Sequence, residues 1–401
     1  MRIGLKERLR VLKKTRIFLS NAEKKKEIIL IHSSSLGEWE QAVPIIEKIK
    51  SYTDSYLFVA TFFSPSGLKA QKQNVADFIT ILPFDGYFSM NIFFKILRPS
   101  IVIISKYDVW PNFLFHSKKI GAKVYLCSAE MADNSLRHKG LMQPINSILY
   151  KDIDAIFCVS DSHRNNIRKI YKAQTLYSFG DARYDRILSK SESIKGLKIF
   201  DNDNFTLIAA SVWKNDCEIL LPALVKLAGD FPDIQFIIVP HEMSSTLFSF
   251  ITHSLENAKI TVDFYSAFSK TGNYCNARVA IIDTVGVLAQ IYAHTQLAYV
   301  GGSFGKGVHN VLESAAYAQP VLYGPRYKNS YEAEQLVKLG GAFTIKSSND
   351  LYYKIRVLLT NKDFFTEAAN ISYQFLKESR GASNRIFEYL DKVHHFKKKG
   401  K

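Results

Sequence analysis

The stretch Tyr299 to Pro325, YVGGSFGKGVHNVLESAAYAQPVLYGP, limits the possible folds of this chain more than any other. It has the form of a strand, a glycine loop, a helix and a second strand. Gln296 to Val300 is a short apolar run suited to a buried strand, and Gly301, Gly302, Gly305 and Gly307 allow a sharp turn and close backbone approach to a ligand. Asn310 stands where a helix N-cap belongs, and Gln319-Pro320 closes the helix before Val321 to Tyr323. Loop amides and the positive end of a helix would then converge on one spot that suits an anion. The competing reading is a capping box, in which Glu313 only ties back to the backbone near Asn310.

The same alternation of short apolar runs and longer helical patterns fills most of the 401 residues, which predicts parallel sheets covered by helices. That length predicts about two domains. In the first half, strands are expected over Glu27 to Ile31, Tyr56 to Thr61, Phe78 to Leu82, Ile101 to Ser105, Lys123 to Cys127 and Ala155 to Val159. In the second, they are expected over Phe205 to Ala210, Gln235 to Pro240, Val279 to Ile282, Gln296 to Val300, Val321 to Tyr323 and in the step from Gly340 to Ile345. The polar stretch from Asp185 to Asn204 reads as a hinge. The expected organisation is an N-terminal domain of residues 1–190 with a basic arm, a C-terminal domain of residues 200–385, and a basic tail of residues 386–401.

Open α/β sheets bind ligands at the carboxyl ends of their strands, so the polar residues that follow each strand are the candidates. After the first strand come Ser34, Ser35, Gly37 and Glu38, and after Ile101 to Ser105 come Lys106, Asp108 and Trp110. The second half offers Ser211, Trp213 and Lys214, then His241, then Asp283 and Thr284, and finally Gly301, Gly302, Ser303, Lys306, His309, Asn310 and Glu313. Each has an ordinary structural reading. Glu38 can be a first-turn carboxylate complementing a helix dipole, Asp283 and Thr284 can be caps, the two histidines can be satisfied core residues, and the lysines can be merely solvated.

A net charge of +16 calls for an anionic partner, which can be nucleic acid, a membrane surface or a phosphorylated substrate. Between Arg2 and Lys26, ten bases face only Glu7 and Glu23, and Ile3, Leu5, Leu9, Leu12 and Leu19 are interleaved with them. That pattern fits a basic amphipathic helix on anionic lipid, or a solvated arm. Tyr87 to Leu97, YFSMNIFFKIL, is an aromatic helix that is either core or a surface meeting acyl chains. No apolar run approaches the roughly 18 residues that cross a bilayer, and neither a signal peptide nor a nucleic-acid module is visible. Cys127, Cys158, Cys217 and Cys275 lie far apart without CxxC spacing, as reduced thiols in a cytosolic protein do, and no metal site is expected.

One ordered set of motifs goes further. His32-Ser33-Ser34-Ser35-Leu36-Gly37-Glu38, Trp110-Pro111-Asn112, Ser211-Val212-Trp213, Pro240-His241-Glu242, Asp283-Thr284 with Gly286 and Leu288, and Gly301-Gly302-Ser303 with His309-Asn310-Val311-Leu312-Glu313 together resemble the 3-deoxy-D-manno-octulosonic acid (Kdo) transferase family. Any one motif is weak; the combination, spanning Glu27 to Ile345, is specific. The resemblance implies the GT-B glycosyltransferase fold, two Rossmann-like domains whose parallel sheets face a central cleft that closes about the hinge. It implies an inverting transfer of Kdo from CMP-Kdo to a lipid A precursor in lipopolysaccharide synthesis, with Glu38 as general base. Donor contacts would come from Ser211, Trp213, Lys214, His241, Asp283, Thr284, Gly301, Gly302, Ser303, Lys306, His309, Asn310 and Glu313. Acceptor contacts would come from Ser34, Ser35, Gly37, Lys106, Asp108 and Trp110.

No metal or other cofactor is implied, because CMP leaves through an already weakly basic phosphate. The expected partners are CMP-Kdo, the lipid A precursor and an anionic membrane surface, with no nucleic acid, and the enzyme would sit peripherally on the cytoplasmic face of the inner membrane; no oligomeric state follows. The chain departs from the family in five places. It lacks the usual hydrophobic anchoring helix, so that it is a shortened form or attaches through its basic arm. Lys106 and Asp108 stand where two Glu residues are usual, and Ser128 and Glu130 where Asn and Arg are usual. Two other readings remain open at this stage, a GT-B transferase or epimerase using a UDP-sugar and a non-enzymatic basic protein that binds anionic lipid.

Overall fold

The computed structural model describes residues 2–23, 25–68, 74–106 and 108–400, with the side chains described from Arg8 onward. Lys24 and the side chains of residues 2–7 in the basic arm, and Tyr107 beside the candidate acceptor residues, lie outside the described residues. The chain divides into two compact units, one of residues 1–186 together with 379–401 and one of residues 187–378.

The first unit is built on seven parallel strands: β1 (Glu27–Ser33), β2 (Tyr56–Phe62), β3 (Phe78–Ile81), β4 (Ile101–Ser105), β5 (Lys123–Ala129), β6 (Ala155–Cys158) and β7 (Leu176–Ser178). Their order across the sheet is β3-β2-β1-β4-β5-β6-β7. Helices cover both faces of such a sheet, which is why β1 reads EIILIHS and is buried from its second residue onward. One face packs Ile29, Ile31, Phe58 and Ile103 against Trp39, Ile45, Ile46 and Ile49 of the helix Leu36–Tyr52. The other packs Leu30, Val102 and Leu126 against Phe93, Phe94 and Phe113.

The second unit repeats the plan with β8 (Thr206–Val212), β9 (Gln235–Pro240), β10 (Val262–Phe264), β11 (Val279–Ile281), β12 (Leu297–Val300), β13 (Val321–Tyr323) and β14 (Ala342–Thr344), in the order β10-β11-β9-β8-β12-β13-β14. In each sheet the chain first builds outward on one side and then returns to the other. The crossing falls between β1 and β4 in the first unit and between β8 and β12 in the second. At such a reversal the flanking loops diverge and leave a crevice beyond the strand ends.

Four expectations are corrected. The C-terminal residues are not a tail. The helix Ala382–His394 buries Ile386, Phe387 and Leu390 against the helix Leu36–Tyr52, and Phe396 follows them into the same core, so residues 379–401 complete the first unit. Asp185 fixes the start of that helix by accepting the Gly381 amide at 2.5 Å, the Ser383 amide at 2.8 Å and the Ser383 hydroxyl at 2.6 Å. The expected hinge is partly regular, because Arg183–Ser193 is helical and only residues 194–205 are irregular.

The basic arm is a docked helix, Arg2–Asn21. On it Val11 and Thr15 are buried, Leu12 and Leu19 pack against the unit's core and Phe18 stacks on Phe78 at 4.7 Å, whereas Leu9 is 76% exposed, so only part of the apolar stripe is covered by the protein. Finally, the helix expected after the glycine loop shrinks to Leu312–Ala315, because Ala318 turns into the left-handed region at φ 53° ahead of Pro320. A single helical turn carries little dipole, which weakens the anion site expected there.

Candidate active site

In the first unit the loops after β1 and β4 set out a carboxylate pair. His32 is wholly buried at the end of β1. Its Nδ1 lies 3.1 Å from Thr61 Oγ1 and 3.2 Å from the Thr61 carbonyl, and its Nε2 donates to Asp108 Oδ2 at 2.9 Å. Burial alone would raise the Asp108 carboxyl, but the hydrogen bond and charge of His32, with the Ser34 hydroxyl, hold it below its ordinary value. Glu38 is the third residue of the helix Leu36–Tyr52, and its Oε2 accepts the Ser35 amide at 3.1 Å. The capping geometry is therefore present. It does not prevent burial, the largest influence, from raising the Glu38 carboxyl, with the Asp108 charge adding to the effect against the Ser34 amide, Lys106 and the Ser35 amide. Two neighbouring carboxyls are thus shifted in opposite directions, Asp108 down and Glu38 up.

Around this pair, Ser33 donates to Ser105 at 3.1 Å, joining the ends of β1 and β4. Lys106 is in the left-handed region at φ 70°, and its ammonium lies 3.4 Å from Glu130 at the end of β5. Trp110 stacks on Phe63 at 5.3 Å, and the Arg8 guanidinium covers the same ring at 4.6 Å while donating to the Phe63 and Leu82 carbonyls. Gly37 is exposed and Ser34 and Ser35 are half-buried. Ser34, Ser35, Glu38, Lys106, Asp108 and Trp110 accordingly share the switch-point end of one sheet.

The corresponding end of the second sheet gathers Ser211, Trp213, His241, Gly301, Gly302, Ser303 and His309. Ser211 is left-handed at φ 54° where β8 bulges against β9. A Cβ on Gly301 would lie 2.5 Å from the Ser211 carbonyl oxygen, so only glycine lets β12 leave the sheet there. Trp213, His241 and His309 form a stack, with ring centroids 4.5 Å apart between Trp213 and His241 and 4.3 Å between the histidines. The Trp213 indole donates to His309 Nε2 at 2.8 Å. Burial, then the neighbouring His241, lower the His309 pKa, with Asp216 opposing.

Several expected donor contacts are placed differently. The Gly301 amide is already bonded to the Ala210 carbonyl and the Gly302 amide to Asp216, both at 2.9 Å, so these two do not form an open anion cradle. Ser303 is buried, with its hydroxyl accepting the Gly324 amide. Asp283 accepts the Ser266 amide at 2.8 Å and the Ser266 hydroxyl, in the capping role, and Thr284 is exposed beside it. Asn310 accepts the Leu312 amide and donates to Glu313, both at 3.1 Å. Lys306 is exposed, and Lys214 lies over the Phe250 ring at 5.7 Å. Sequence reasoning missed His32, Asp216 and Arg8 as candidates. Asp216 had a signal in its spacing three residues after Trp213, the position from which an acidic side chain reaches back to a helix start. Among the described residues no group of three or more His, Cys, Asp or Glu is arranged to hold a metal ion. The four cysteines are buried and unpaired, and burial pushes Cys158, Cys217 and Cys275 up to about 12.

Two parallel α/β units with loops of this kind at their switch points define the GT-B class. Solved structures agree. The UDP-GlcNAc 2-epimerase from Neisseria meningitidis bound to UDP-GlcNAc aligns with TM-score 0.66 over 91% of this chain and 100% of that one at 14% identity, and a putative UDP-N-acetylglucosamine 2-epimerase from Listeria monocytogenes with TM-score 0.64 over 94% and 98% at 12%. At such identities the likeness speaks for the fold alone. Residues 4–186 match the family model described as 3-deoxy-D-manno-octulosonic-acid transferase (kdotransferase), and the chain is similar over most of its length to proteins of that name. Its relatives of that name include the Haemophilus influenzae protein, 26% identical over 90% of this chain and 86% of the relative. The Aquifex aeolicus protein is 28% identical over 84% and 87%.

Proposed function

We propose that this chain is an inverting glycosyltransferase that moves Kdo from CMP-Kdo to a lipid A precursor in lipopolysaccharide synthesis. The observation that carries the reading is the divided carboxylate pair of Glu38 and Asp108 at the switch point of the first sheet. Glu38 takes the proton of the acceptor hydroxyl as its oxygen bonds the anomeric carbon, and CMP departs with the electron pair of the broken carbon–oxygen bond. Asp108, held ionised by His32, helps keep Glu38 basic and orients the acceptor with Ser34, Ser35, Gly37, Lys106 and Trp110. In the second unit, His309 and His241 donate to the phosphate or to the sugar carboxylate, Lys306 or Lys214 balances the remaining charge, and Glu313 with Asn310 takes the ribose hydroxyls. Asp283, Thr284, Ser211, Trp213, Gly301, Gly302 and Ser303 shape the nucleotide site rather than supply its charge. No cofactor takes part in this scheme.

Peripheral attachment to the cytoplasmic face of the inner membrane rests on the surface of the first unit. The helix Tyr87–Leu97 turns Met90, Phe93, Phe94 and Leu97 inward and leaves Tyr87, Phe88 and Ile92 exposed, with Phe84 and Phe115 exposed as well. Leu141, Ile145 and Ile148, at helical spacing, are 89%, 57% and 64% exposed, and Arg10, Lys13, Lys14 and Arg16 supply positive charge on the outer side of the first helix. Among the described residues no helix is long and apolar enough to cross a membrane.

The test is incubation with fresh CMP-Kdo and a tetra-acylated lipid A precursor, with products weighed by mass spectrometry. A mass increase of one or more Kdo units is expected; an unchanged acceptor overturns the reading. Calorimetry with CMP and UDP separates it from the UDP-sugar alternative, which predicts preferential binding of UDP.

A further inference from the structure

The second unit holds a buried charge that the transfer itself has no use for. Asp216 is 1% exposed and is the third residue of the helix Lys214–Asp230. Its Oδ2 accepts the Trp213 amide and the Gly302 amide, and its Oδ1 accepts the Tyr299 hydroxyl, each at 2.9 Å. These donors come from the end of β8, from the loop after β12 and from β12 itself. One side chain therefore clips together the two strands that flank the switch point. A carboxylate is tolerated at such depth because every contact is a donor and because it lies at the positive end of a long helix.

Trp213 passes the constraint on. An indole N–H can only donate, so the 2.8 Å contact from Trp213 Nε1 requires His309 Nε2 to be without a proton. The neutral ring then carries its hydrogen on Nδ1. His241, stacked on His309 at 4.3 Å and 11°, covers one face of the ring. The charged or titratable groups that face His309 are His241 and Asp216, and they act in opposite directions on its proton affinity. Protonation of His309 would set an N–H against the indole N–H and break the contact.

We propose that Asp216 is the positioning residue of the donor site: it fixes Trp213 and the glycine loop and, through Trp213, holds His309 as the Nδ1–H tautomer, a neutral hydrogen-bond donor to an anionic oxygen of the nucleotide. The inference rests on the reading that the second unit binds a CMP-linked donor, but the tautomer can be measured with no ligand present.

The experiment uses the full chain with 15N-labelled histidine. Long-range proton–nitrogen correlation reads the His309 tautomer, and calorimetry reads the affinity for CMP. Wild type is expected to show the Nδ1–H form at neutral pH. W213F should release the ring to a mixture of tautomers and weaken CMP binding roughly tenfold, the scale of one hydrogen bond. D216A should weaken binding at least as much, and D216N should recover most of that loss, because its amide oxygen can accept both backbone amides while its NH2 donates to the Tyr299 oxygen. An Nε2–H tautomer in wild type, an unchanged tautomer in W213F, or CMP binding by D216A within about twofold of wild type overturns the proposal. If D216A does not fold, W213F decides. If wild type binds UDP in place of CMP, the donor reading fails, and the same variants are judged with UDP as the probe.

Discussion

His32 and Asp108, each at the end of a neighbouring strand, meet at 2.9 Å, and this contact gives two nearby carboxyls different chemistry. Asp108 keeps its negative charge because a buried imidazole donates to it, while Glu38 has no such partner and yields to burial. Replacing His32 by Phe should leave Asp108 without that donor at a cost of about 1–3 kcal/mol in chemical denaturation. The pH dependence has a fixed sign. Asp108 has a lowered carboxyl in the folded chain, so its contribution is fully present above the unfolded carboxylate value near 4 and is lost as pH falls through the folded value. H32F should therefore lose stability at neutral pH and show a flatter decline in acid.

Glu38→Gln should lower Kdo transfer by roughly a hundredfold or more in the mass-spectrometric assay if this carboxylate is the base. It should not unfold the protein. A raised carboxyl opposes folding at pH values above its unfolded value, and Gln still accepts the Ser35 amide, so at pH 7 the variant should be as stable as wild type or more stable. In wild type the acid limb of the rate profile should lie above that of an ordinary glutamate, because transfer requires the unprotonated form.

Lys106 and Glu130 present a charge-reversed pair. The family resemblance sets Glu and Arg at these positions, and here Lys106 meets Glu130 at 3.4 Å with both side chains about a fifth exposed. On that resemblance, these two of the departures from the family pattern make one reciprocal exchange. K106E and E130R should each lose transfer, and the double variant should regain much of it. The coupling in a double-mutant cycle of stability is expected to be only about 0.5–1 kcal/mol, since water screens the pair.

Gly301→Ala would place a methyl group 2.5 Å from the Ser211 carbonyl oxygen and 2.8 Å from the Val212 Cα, both backbone atoms in a strand that cannot retreat. Thermal unfolding should show a loss of about 1–3 kcal/mol, and CMP affinity should fall with it. Gly286→Ala, whose Cβ meets nothing within 4 Å although its φ is 94°, should cost less.

Much of this architecture was legible in the chain. Ile101–Ser105, Gln235–Pro240 and Val321–Tyr323 occupy the runs expected of them, because strands buried on both faces leave continuous apolar stretches. β7 and β10 escaped notice. Each is three residues at the edge of a sheet, LYS and VDF, half in solvent and too short to show any period. The helix after the glycine loop was overestimated because Leu312 to Tyr317 has helical composition, while the left-handed turn at Ala318 is a tertiary choice: the Gln319 amide is drawn into the carbonyls of Tyr292 and Thr295. The acidic hub at Asp216 and the pairing of Asp185 with Gly381 and Ser383 join residues far apart in sequence, which no local pattern records. The basic arm has an apolar stripe, but periodicity cannot say what covers it: Leu12 and Leu19 pack on the protein, while Leu9 stays 76% exposed.

The return of Ala382–His394 to the first sheet has a bearing on biosynthesis. During translation residues 1–186 leave the ribosome first, yet the helix that packs with Trp39, Ile46 and Ile49 is encoded after the whole of the second unit. The early half must wait with part of its apolar face uncovered while the whole of the later half is made, and a ribosome that stops short releases a chain that cannot seal itself. The helix Ala382–His394 thus serves as a proofreading clasp: only a molecule translated past the second unit closes its first core.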